Sequence, residues 1–338
     1  KEITYVNKPH IGTDVLREVI INMRKKIERL GGKFLFETKL TDLNIKDNKL
    51  ESVILNGKET LPCSAVLLAI GHSARDTFYI LNAKGVAMQN KPFAVGIRIM
   101  HPQSLIDKNQ YGLLDDRLPV ASYKLTFKAS NGKGVYSFCM CPGGYVVNAS
   151  SEANRLCING MSYSKRDSGI ANSALIVTVN ENDYGNNLFA GIKFQRNLEE
   201  KAYQLGNGLI PTETYGDYKD NKKPKNIGKL EPKIKGGYKV ADLNELLPNN
   251  LNIALKEGIE NFDRKIKGFA DKEALLCGIE ARTSSPIRII RNENYESNIE
   301  GLYPSGEGAG YAGGITSAAI DGLKVSEAIM NKFKPLEK

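Results

Sequence analysis

Glycine dominates one segment near the end of the sequence, residues 305–315, which reads SGEGAGYAGGI. Its five glycines and two alanines leave little side-chain bulk and permit positive φ angles, so backbone N–H groups can approach a ligand closely. A helix is predicted directly after it, and a helix N-terminus presents free N–H groups and a positive dipole end. A phosphate, or the electron-rich O2 edge of a reduced flavin, suits that position. Glu307, the one acid in the segment, suits the role of acceptor for sugar or ribityl hydroxyl groups.

The same segment contains a G-x-G-x-x-G pattern at Gly308, Gly310 and Gly313. In a dinucleotide-binding βαβ unit this pattern opens the fold, and a second strand and an acid about twenty residues on follow the helix. Only the helix follows here, so we expect the segment to close a nucleotide site and not to open one. A tight turn between strand and helix, without a ligand, is the alternative.

A second candidate is the apolar run AVLLAI at 65–70, which Gly71 follows. A continuous apolar run is typical of a strand buried on both faces of a parallel sheet. Its end at Ala69, Ile70 and Gly71 would leave bare backbone at the carboxyl edge of the sheet, where dinucleotides lie in doubly wound folds. A core strand that stops at a glycine is the alternative, but the presence of residues 305–315 favours the nucleotide.

Four polar side chains are candidates for substrate contact or catalysis: Cys141, Arg166, Asn172 and Arg282. Arg282 precedes three hydroxyl residues and could hold a carboxylate or the polar edge of a flavin; a capped polar turn is the alternative. Cys141 precedes a proline and could be a redox-active or nucleophilic thiol, although buried inert cysteines are commoner. No second cysteine pair and no histidine cluster accompany Cys139 and Cys141, so we expect no metal site.

The elements that must position these groups fall into three stretches. Helical periodicity predicts helices over 13–30, 190–205, 243–262 and 314–333; the first has apolar residues at helical spacing, and the last is predicted to present a core face. Strand-like runs are predicted at 3–6, 33–38, 40–45, 50–55, 65–70, 93–99, 134–140, 145–150, 156–162, 276–280, 286–290 and 302–304. Short strands separated by Gly, Asn and Pro between 85 and 277 indicate a β-rich second domain with helical inserts.

Positive charge is concentrated in one place. The formal net charge is +9, and residues 217–239 contain eight lysines against three acids. A lysine-rich stretch punctuated by Gly and Pro predicts a solvated linker, and nucleic-acid binding is not favoured because few aromatic side chains are interleaved with the lysines. The alternative is a non-catalytic, RNA-associated module on a flavoprotein-like scaffold.

Composition also bears on the compartment. The five cysteines form an odd set in a long chain, which favours a reducing, cytoplasmic location over a disulfide framework. No run approaches the roughly 18 apolar residues that span a bilayer, and residues 1–30 lack the apolar core of a signal peptide. We therefore expect no membrane partner and a small-molecule substrate.

Several long runs of the sequence resemble a family of bacterial FAD-dependent dehydrogenases, usually labelled NAD(FAD)-utilising dehydrogenases. The runs are PHIGTD (9–14), LLAIGHSARDTF (67–78), KPFAVGIRI (91–99), YSFCMCPGGYVV (136–147), NGMSYSKRD (159–167), ANSAL (171–175), GIEARTSSP (278–286) and YPSGEGAGYAGGI (303–315). The resemblance covers essentially the whole chain.

The resemblance implies an α/β fold, in which an incomplete FAD/NAD(P)-binding Rossmann-like domain carries an inserted β-rich α+β substrate domain. It places the first part of the FAD-binding domain at 1–85, the inserted domain at 86–275 and the C-terminal part of the FAD-binding domain at 276–338. The family's first glycine-rich loop is expected upstream of residue 1. The implied activity is hydride exchange between FAD and an organic substrate, with NAD(P)H as a candidate electron donor.

The resemblance also assigns cofactor contacts, residue by residue. Leu40 takes the position of a backbone amide that meets adenine, and Ala69, Ile70 and Gly71 pass beside the FAD. Gly306 and Glu307 meet the ribityl chain and the pyrophosphate. The flavin pyrimidine is expected over Gly313, Gly314 and Ile315.

Overall fold

The structure is a computed structural model that describes residues 11–333 of the 338. The strand expected at 3–6 lies outside the described residues. The chain divides into two compact units. Unit 1 comprises the described part of Lys1–Phe34, Val95–Thr178 and Asn197–Ala281, and unit 2 comprises Leu35–Ala94, Val179–Arg196 and the described part of Arg282–Lys338. Among residues 11–333, no helix has the length and apolar character that crossing a membrane requires.

Both units contain helices and strands. The helices are α1 (Thr13–Arg29), α2 (Arg75–Ala83), α3 (Gln103–Tyr111), α4 (Glu181–Tyr184), α5 (Ala190–Gly206), α6 (Tyr215–Asp220), α7 (Asn249–Asp263) and α8 (Ile315–Lys332). The strands are β1 (Leu40–Lys46), β2 (Lys49–Leu55), β3 (Glu59–Pro62), β4 (Val66–Leu68), β5 (Met88–Asn90), β6 (Phe93–Pro102), β7 (Thr126–Lys128), β8 (Gly134–Cys141), β9 (Tyr145–Asn148), β10 (Ile158–Met161), β11 (Ile170–Val179), β12 (Ile210–Thr214), β13 (Ile234–Lys235), β14 (Tyr238–Val240), β15 (Leu275–Glu280), β16 (Ile287–Ile289) and β17 (Leu302–Pro304).

Unit 1 is organised around a mixed sheet with the strand order β14-β12-β15-β6-β11-β8-β7. The central strands β6 and β11 are buried along almost their whole length, although their largely apolar sequences include Arg98 and Asn172. Helix α7 packs on β7 and β8. A smaller sheet, β10-β9-β13, belongs to the same unit.

Unit 2 contains the antiparallel sheet β1-β2-β3, the antiparallel pair β5-β16 and the parallel pair β4-β17. Their apolar side chains share one core with α2, in which Leu43, Phe78, Leu81, Ile287 and Leu302 have no exposed surface. Helix α8 follows β17 through the glycine-rich segment. Because β4 and β17 are parallel, their carboxyl ends lie at the same edge.

Most predicted elements are present, and the exceptions have local causes. No strand forms at 33–38, where the chain makes a turn with Glu37 at φ 52°. The buried strand predicted at 65–70 is only β4, and Leu67 is 36% exposed, so the pair is not covered on both faces. The helix predicted at 243–262 is broken, because Pro248 has no N–H to continue it; a 3₁₀ turn at Leu243–Glu245 precedes α7.

A core face was predicted for α8, and of the residues of that face only Val325 is buried; most of the apolar residues of α1 are exposed as well. Helix α1 has no buried residue, and Ile20 is 57% exposed. In α8, Asp321 and Val325 are the buried residues, while Ile315 is 77% exposed. Helical periodicity reports that a face is apolar, but it does not report what covers that face.

Two further expectations concern the organisation of the chain. The lysine-rich residues 217–239 are not a featureless linker, since β13 pairs with β9 and β14 with β12. Residues 11–34 group with unit 1, through contacts such as the Asp14 carboxylate with the Ser164 N–H at 2.9 Å, although the sequence assigned them to the FAD-binding domain. The boundaries 1–85, 86–275 and 276–338 remain a prediction.

Candidate functional site

The two segments singled out by their bare backbone lie against each other in unit 2. The Ser305 N–H donates to the Leu68 carbonyl oxygen at 3.0 Å, which extends the β4-β17 pairing into both loops. A Cβ atom placed on Gly308 would come within 2.4 Å of the Gly71 carbonyl oxygen, so no other residue fits there without movement. Gly71 and Gly306 have φ angles of 66° and 74°, in the left-handed region that favours glycine. The glycines therefore serve the close approach of two backbone segments.

The glycine-rich segment is held by a buried ion pair that the sequence did not indicate. Asp321 of α8 accepts from the Gly306 N–H at 2.7 Å and from the Ser305 hydroxyl at 3.3 Å. The Arg291 guanidinium donates to both carboxylate oxygens of Asp321, at 2.6 and 2.9 Å, and to the Pro304 carbonyl at 2.8 Å. Burial acts to raise the pKa of Asp321, but Arg291 and the Gly306 N–H outweigh it and lower the pKa. The available signal was an acid within the mostly apolar first half of α8, whose second half contains a further acid, Glu327.

Glu307, the acid of the segment, has a histidine partner. Its Oε1 lies 2.6 Å from His72 Nδ1, and both side chains are largely buried. His72 directly follows Gly71, so the parallel strand ends bring both residues to one place. The next side chain, Ser73, accepts from Arg282 Nη1 at 3.0 Å. Unit 2 thus gathers a carboxylate, an imidazole and a guanidinium beside the two glycine-bearing loops.

The N-terminus of α8 is open. A Cβ on Gly313 would meet nothing within 4 Å, and one on Gly314 would meet only Ser317 Oγ at 4.0 Å. Gly314 is the N-cap, and no side chain caps the first turn. The first N–H groups of this 18-residue helix are therefore available to an electron-rich ligand.

The remaining predicted cofactor residues include Ala69, Ile70 and Leu40. Ala69 and Ile70 lie between β4 and Gly71, in the same loop. Leu40 begins β1, pairs with Leu55 and packs partly buried against the core of unit 2.

Unit 1 contains a second polar cluster, centred on Arg98 in the middle of β6. Arg98 has no exposed surface and donates through Nε and Nη2 to the two carboxylate oxygens of Glu280, at 3.0 and 3.3 Å. It also donates to Asn172 Oδ1 at 2.8 Å, to the Cys139 carbonyl at 3.2 Å and to Asn159 Oδ1 at 3.3 Å. Burial alone would lower the pKa of Arg98, but the Glu280 carboxylate outweighs it, and the pKa is raised. All five guanidinium N–H groups are thereby used.

Two of the four predicted catalytic residues belong to this Arg98 cluster. Asn172 is fully buried, and within the described residues its Nδ2 has no hydrogen-bond partner. The Cys141 thiol donates to the Cys139 carbonyl at 3.3 Å. Burial raises the pKa of Cys141, and Glu280 raises it further while Arg98 lowers it. The net increase favours a neutral thiol over a nucleophilic thiolate.

The other two predicted catalytic residues lie elsewhere. Arg166 is half-buried, has φ 52° in the turn against Gly143, and its pKa is lowered by burial. Arg282 belongs to unit 2, beside Ser73. Sequence reasoning did not identify Arg98 or Glu280, because a charge inside an apolar strand carries no local signature of its partner. No group of three or more potential metal-ligating side chains occurs among residues 11–333.

Comparisons with known proteins identify a family. A family model described as "FAD-dependent protein, C-terminal domain-like" matches residues 92–283, which is more than half of the chain. An uncharacterized protein of Clostridium beijerinckii (strain ATCC 51743 / NCIMB 8052) is 51% identical over 339 residues, and the chain spans 63% of the length of that relative.

Similarity to solved structures is weaker. An oxidoreductase from Methanosarcina mazei is 13% identical, with 91% of this chain and 53% of that chain covered and a TM-score of 0.38. PqsL of P. aeruginosa, in complex with 2-aminobenzoylacetate, is 13% identical over 76% of this chain and 60% of that chain, with a TM-score of 0.25. Both TM-scores are too low to establish a shared fold. The match over residues 92–283 does establish the family: the chain belongs to the FAD-dependent proteins with this C-terminal-domain-like region.

Proposed function

We propose that this protein is an FAD-dependent oxidoreductase, a dehydrogenase or reductase, that exchanges a hydride between flavin and an organic substrate or a nicotinamide. The observation that carries the proposal is the approach of Gly308 to Gly71 at the carboxyl ends of two parallel strands. Dinucleotides bind at this edge in doubly wound folds, a Rossmann-like arrangement of which β4, β17 and α8 would be parts. Membership in an FAD-dependent family supports the cofactor.

The residues at this edge fit FAD. Close-packed glycine backbone offers N–H groups without side-chain obstruction, and the uncapped start of α8 favours negative charge. Glu307 would accept from ribityl hydroxyls, with His72 fixing the orientation of its carboxylate. Residues proposed to contact the cofactor are Leu40, Ala69, Ile70, Gly71, Gly306, Glu307, Gly313, Gly314 and Ile315. Bound FAD supplies the hydride chemistry, and the protein supplies binding, orientation and electrostatics.

Substrate contact is proposed for Cys141, Arg166, Asn172 and Arg282. Arg98 itself has no donor left, so its role would be to hold Asn172 and the Cys139 carbonyl in place. The Cys141 thiol would act as a hydrogen-bond donor and not as an anion.

The test exploits the open space at Gly314. A Cβ atom at Gly314 would meet no protein atom closer than the Ser317 hydroxyl at 4.0 Å, and the extended φ of −173° suits any residue, so we expect Gly314→Leu to fold. It would nevertheless occupy the space proposed for the flavin. We expect the ratio of bound flavin to protein, read from the visible spectrum after saturation with FAD, to fall at least tenfold.

The matched control is Gly322→Ala, on the same helix. A Cβ at Gly322 also meets nothing within 4 Å, and alanine favours the helix. This variant should bind flavin like the unsubstituted protein. Equal flavin content in the Gly314→Leu and Gly322→Ala proteins would remove the support for a cofactor at this loop. A reductant screen with NADH and NADPH on the flavin-loaded protein then tests the nicotinamide.

A further inference from the structure

Two cations of unit 2, Lys91 and Arg288, lie on one face of the β5-β16 pair. Arg288 pairs with Gln89 across the two strands, and the Lys91 N–H donates to the Pro286 carbonyl at 2.9 Å. Side chains alternate along a strand, and directly paired residues share a face. Lys91 and Arg288 are therefore diagonal neighbours on the face opposite to Ile287, which is buried in the core.

This face abuts the glycine-rich segment. A Cβ on Gly310 would lie 3.0 Å from Arg288 Cα, and Gly310 has φ 84°. The Arg288 guanidinium lies 5.2 Å from the centre of the Tyr311 ring. Arg288 Nη2 donates to the Gly310 carbonyl oxygen, and this hydrogen bond is long, at 3.5 Å.

Neither cation has a neutralising partner among the described residues. Arg288 Nε is buried without an acceptor, and neither side chain makes an ion pair with a carboxylate in residues 11–333. The neighbouring Arg291 shows the contrast, because both oxygens of Asp321 neutralise it. Burial lowers the pKa of Lys91, Arg288 lowers it further, and Glu307 raises it. Two half-buried cations that repel each other indicate a place for an anion.

We propose that Lys91 and Arg288 form a binding site for an oxyanion, a carboxylate or a phosphate, beside the glycine-rich segment. The fork of an arginine matches two oxygens of such a group, and a lysine adds a point charge. The site exists in the protein whether or not flavin is bound. Only the identity of the molecule that supplies the oxyanion rests on the proposed function: it is either an acidic substrate or the FAD cofactor, through a phosphate.

The experiment titrates inorganic phosphate into the purified protein at low ionic strength, by calorimetry. We expect saturable binding of one phosphate per chain at this site, weakened at least tenfold by Lys91→Met and by Arg288→Met. Lys193→Met is the matched control, since Lys193 is an exposed lysine of α5 in the same unit, and it should bind phosphate normally. The thermal unfolding midpoint, measured without phosphate, is a second test. Because the two cations repel each other, removing either one should leave this midpoint unchanged or raise it.

Titration of FAD-saturated protein distinguishes the two sources. Loss of phosphate binding would identify the oxyanion as the phosphate of the cofactor, and retained binding would identify it as an acid group of the substrate. Absence of saturable phosphate binding, or equal binding by the unsubstituted, Lys91→Met and Lys193→Met proteins, would overturn the proposal. If the protein binds phosphate but does not bind FAD, the oxyanion site is supported and the proposed function is contradicted.

Discussion

The carboxylate of Asp321 accepts a hydrogen bond of 2.7 Å from the backbone N–H of Gly306, and so ties helix α8 to the loop that precedes it. The same carboxylate is bound by both Nη groups of Arg291. One buried charge pair thus fixes the start of the glycine-rich segment, while the glycines further along have no side chains that could fix it. The conformation of the loop is set by the helix that follows it.

We expect Asp321→Asn to loosen the loop and to destabilise unit 2. The amide keeps an acceptor for Gly306 but leaves the guanidinium of Arg291 buried without a counter-charge, which costs about 3 kcal/mol. Urea unfolding measures this loss, and an FAD titration should show weaker binding. Asp220→Asn, at an exposed ion pair, should leave the urea unfolding midpoint essentially unchanged. Equal unfolding midpoints for the two variants would contradict this prediction.

A second prediction concerns the Arg98 cluster of unit 1. Glu280→Gln should cost about 3–5 kcal/mol in the free energy of unfolding, because Arg98 stays charged and fully buried without its carboxylate. The double variant Arg98→Met/Glu280→Gln should lose less than the sum of the single variants, since no uncompensated charge remains. Denaturant unfolding of all four proteins measures the coupling. Additive losses would show that the two side chains contribute independently.

Much of the candidate site could be predicted from the sequence, because its backbone conformation requires particular residue types. Residues 305–315 stand out because close approach of two chains and positive φ angles both demand glycine. The apolar run that ends before Gly71 was predicted to be a strand of a parallel sheet, and β4 is parallel to its partner β17, although the identity of that partner was not predicted. Backbone constraints of this kind act on single residues, so they can be recognised in the sequence even when the contacting residue is not known.

Side-chain partnerships were not predictable in the same way. Asp321, His72 and Glu280 each pair with a residue far away in sequence, and each partnership depends on tertiary packing that no local pattern encodes. The exposure of most of the apolar residues of α1 and α8 was not predictable for a related reason. Periodicity identified them, but their exposure depends on what lies opposite, and this is information that the helix itself does not contain.

A third prediction concerns stability in mild acid. His101 is 1% exposed, and its Nε2–H donates to the Phe269 carbonyl at 2.8 Å. Burial lowers its pKa from 6.5 to about 4, against the opposing effects of that hydrogen bond and of Asp271 and Asp263. Between these two pH values the unfolded chain binds a proton that the native state does not bind. The contribution of the neutral His101 to stability is therefore fully present above pH 6.5 and is lost as the pH falls through about 4.

The measurement is unfolding free energy against pH for the unsubstituted protein and His101→Gln, whose amide can still donate to Phe269. Below pH 6.5 the curve of the unsubstituted protein should fall more steeply, by up to about 1.4 kcal/mol per pH unit. Between pH 7 and 8 the two curves should run parallel, because His101 is neutral in both states there. Parallel curves across the acid range would contradict the assignment.

The opposite pH dependence is expected from Glu213 of β12. Its side chain is fully buried; Oε1 accepts from the Leu243 N–H at 2.6 Å, and Oε2 has no partner among the described residues. Burial raises its pKa from 4.5 to about 8, helped by Asp242 and Asp217 and opposed by the Leu243 N–H and by Lys256. The native state therefore holds a proton that the unfolded chain releases, so this contribution to stability is complete below pH 4.5 and is lost as the pH rises through about 8.

Glu213→Gln keeps the acceptor for the Leu243 N–H and carries no charge at any pH. The variant should therefore not lose stability through this site as the pH rises. Its stability relative to the unsubstituted protein should increase by up to about 1.4 kcal/mol per pH unit between pH 4.5 and 8 and stay constant above that. Glu257→Gln is a suitable control, because the pKa of that exposed acid is lowered by its hydrogen bonds to Ser130 and it carries its charge throughout this range. A stability difference between Glu213→Gln and the unsubstituted protein that stays constant from pH 5 to 9 would show that Glu213 is ionised in the folded protein, and that an unseen partner satisfies Oε2.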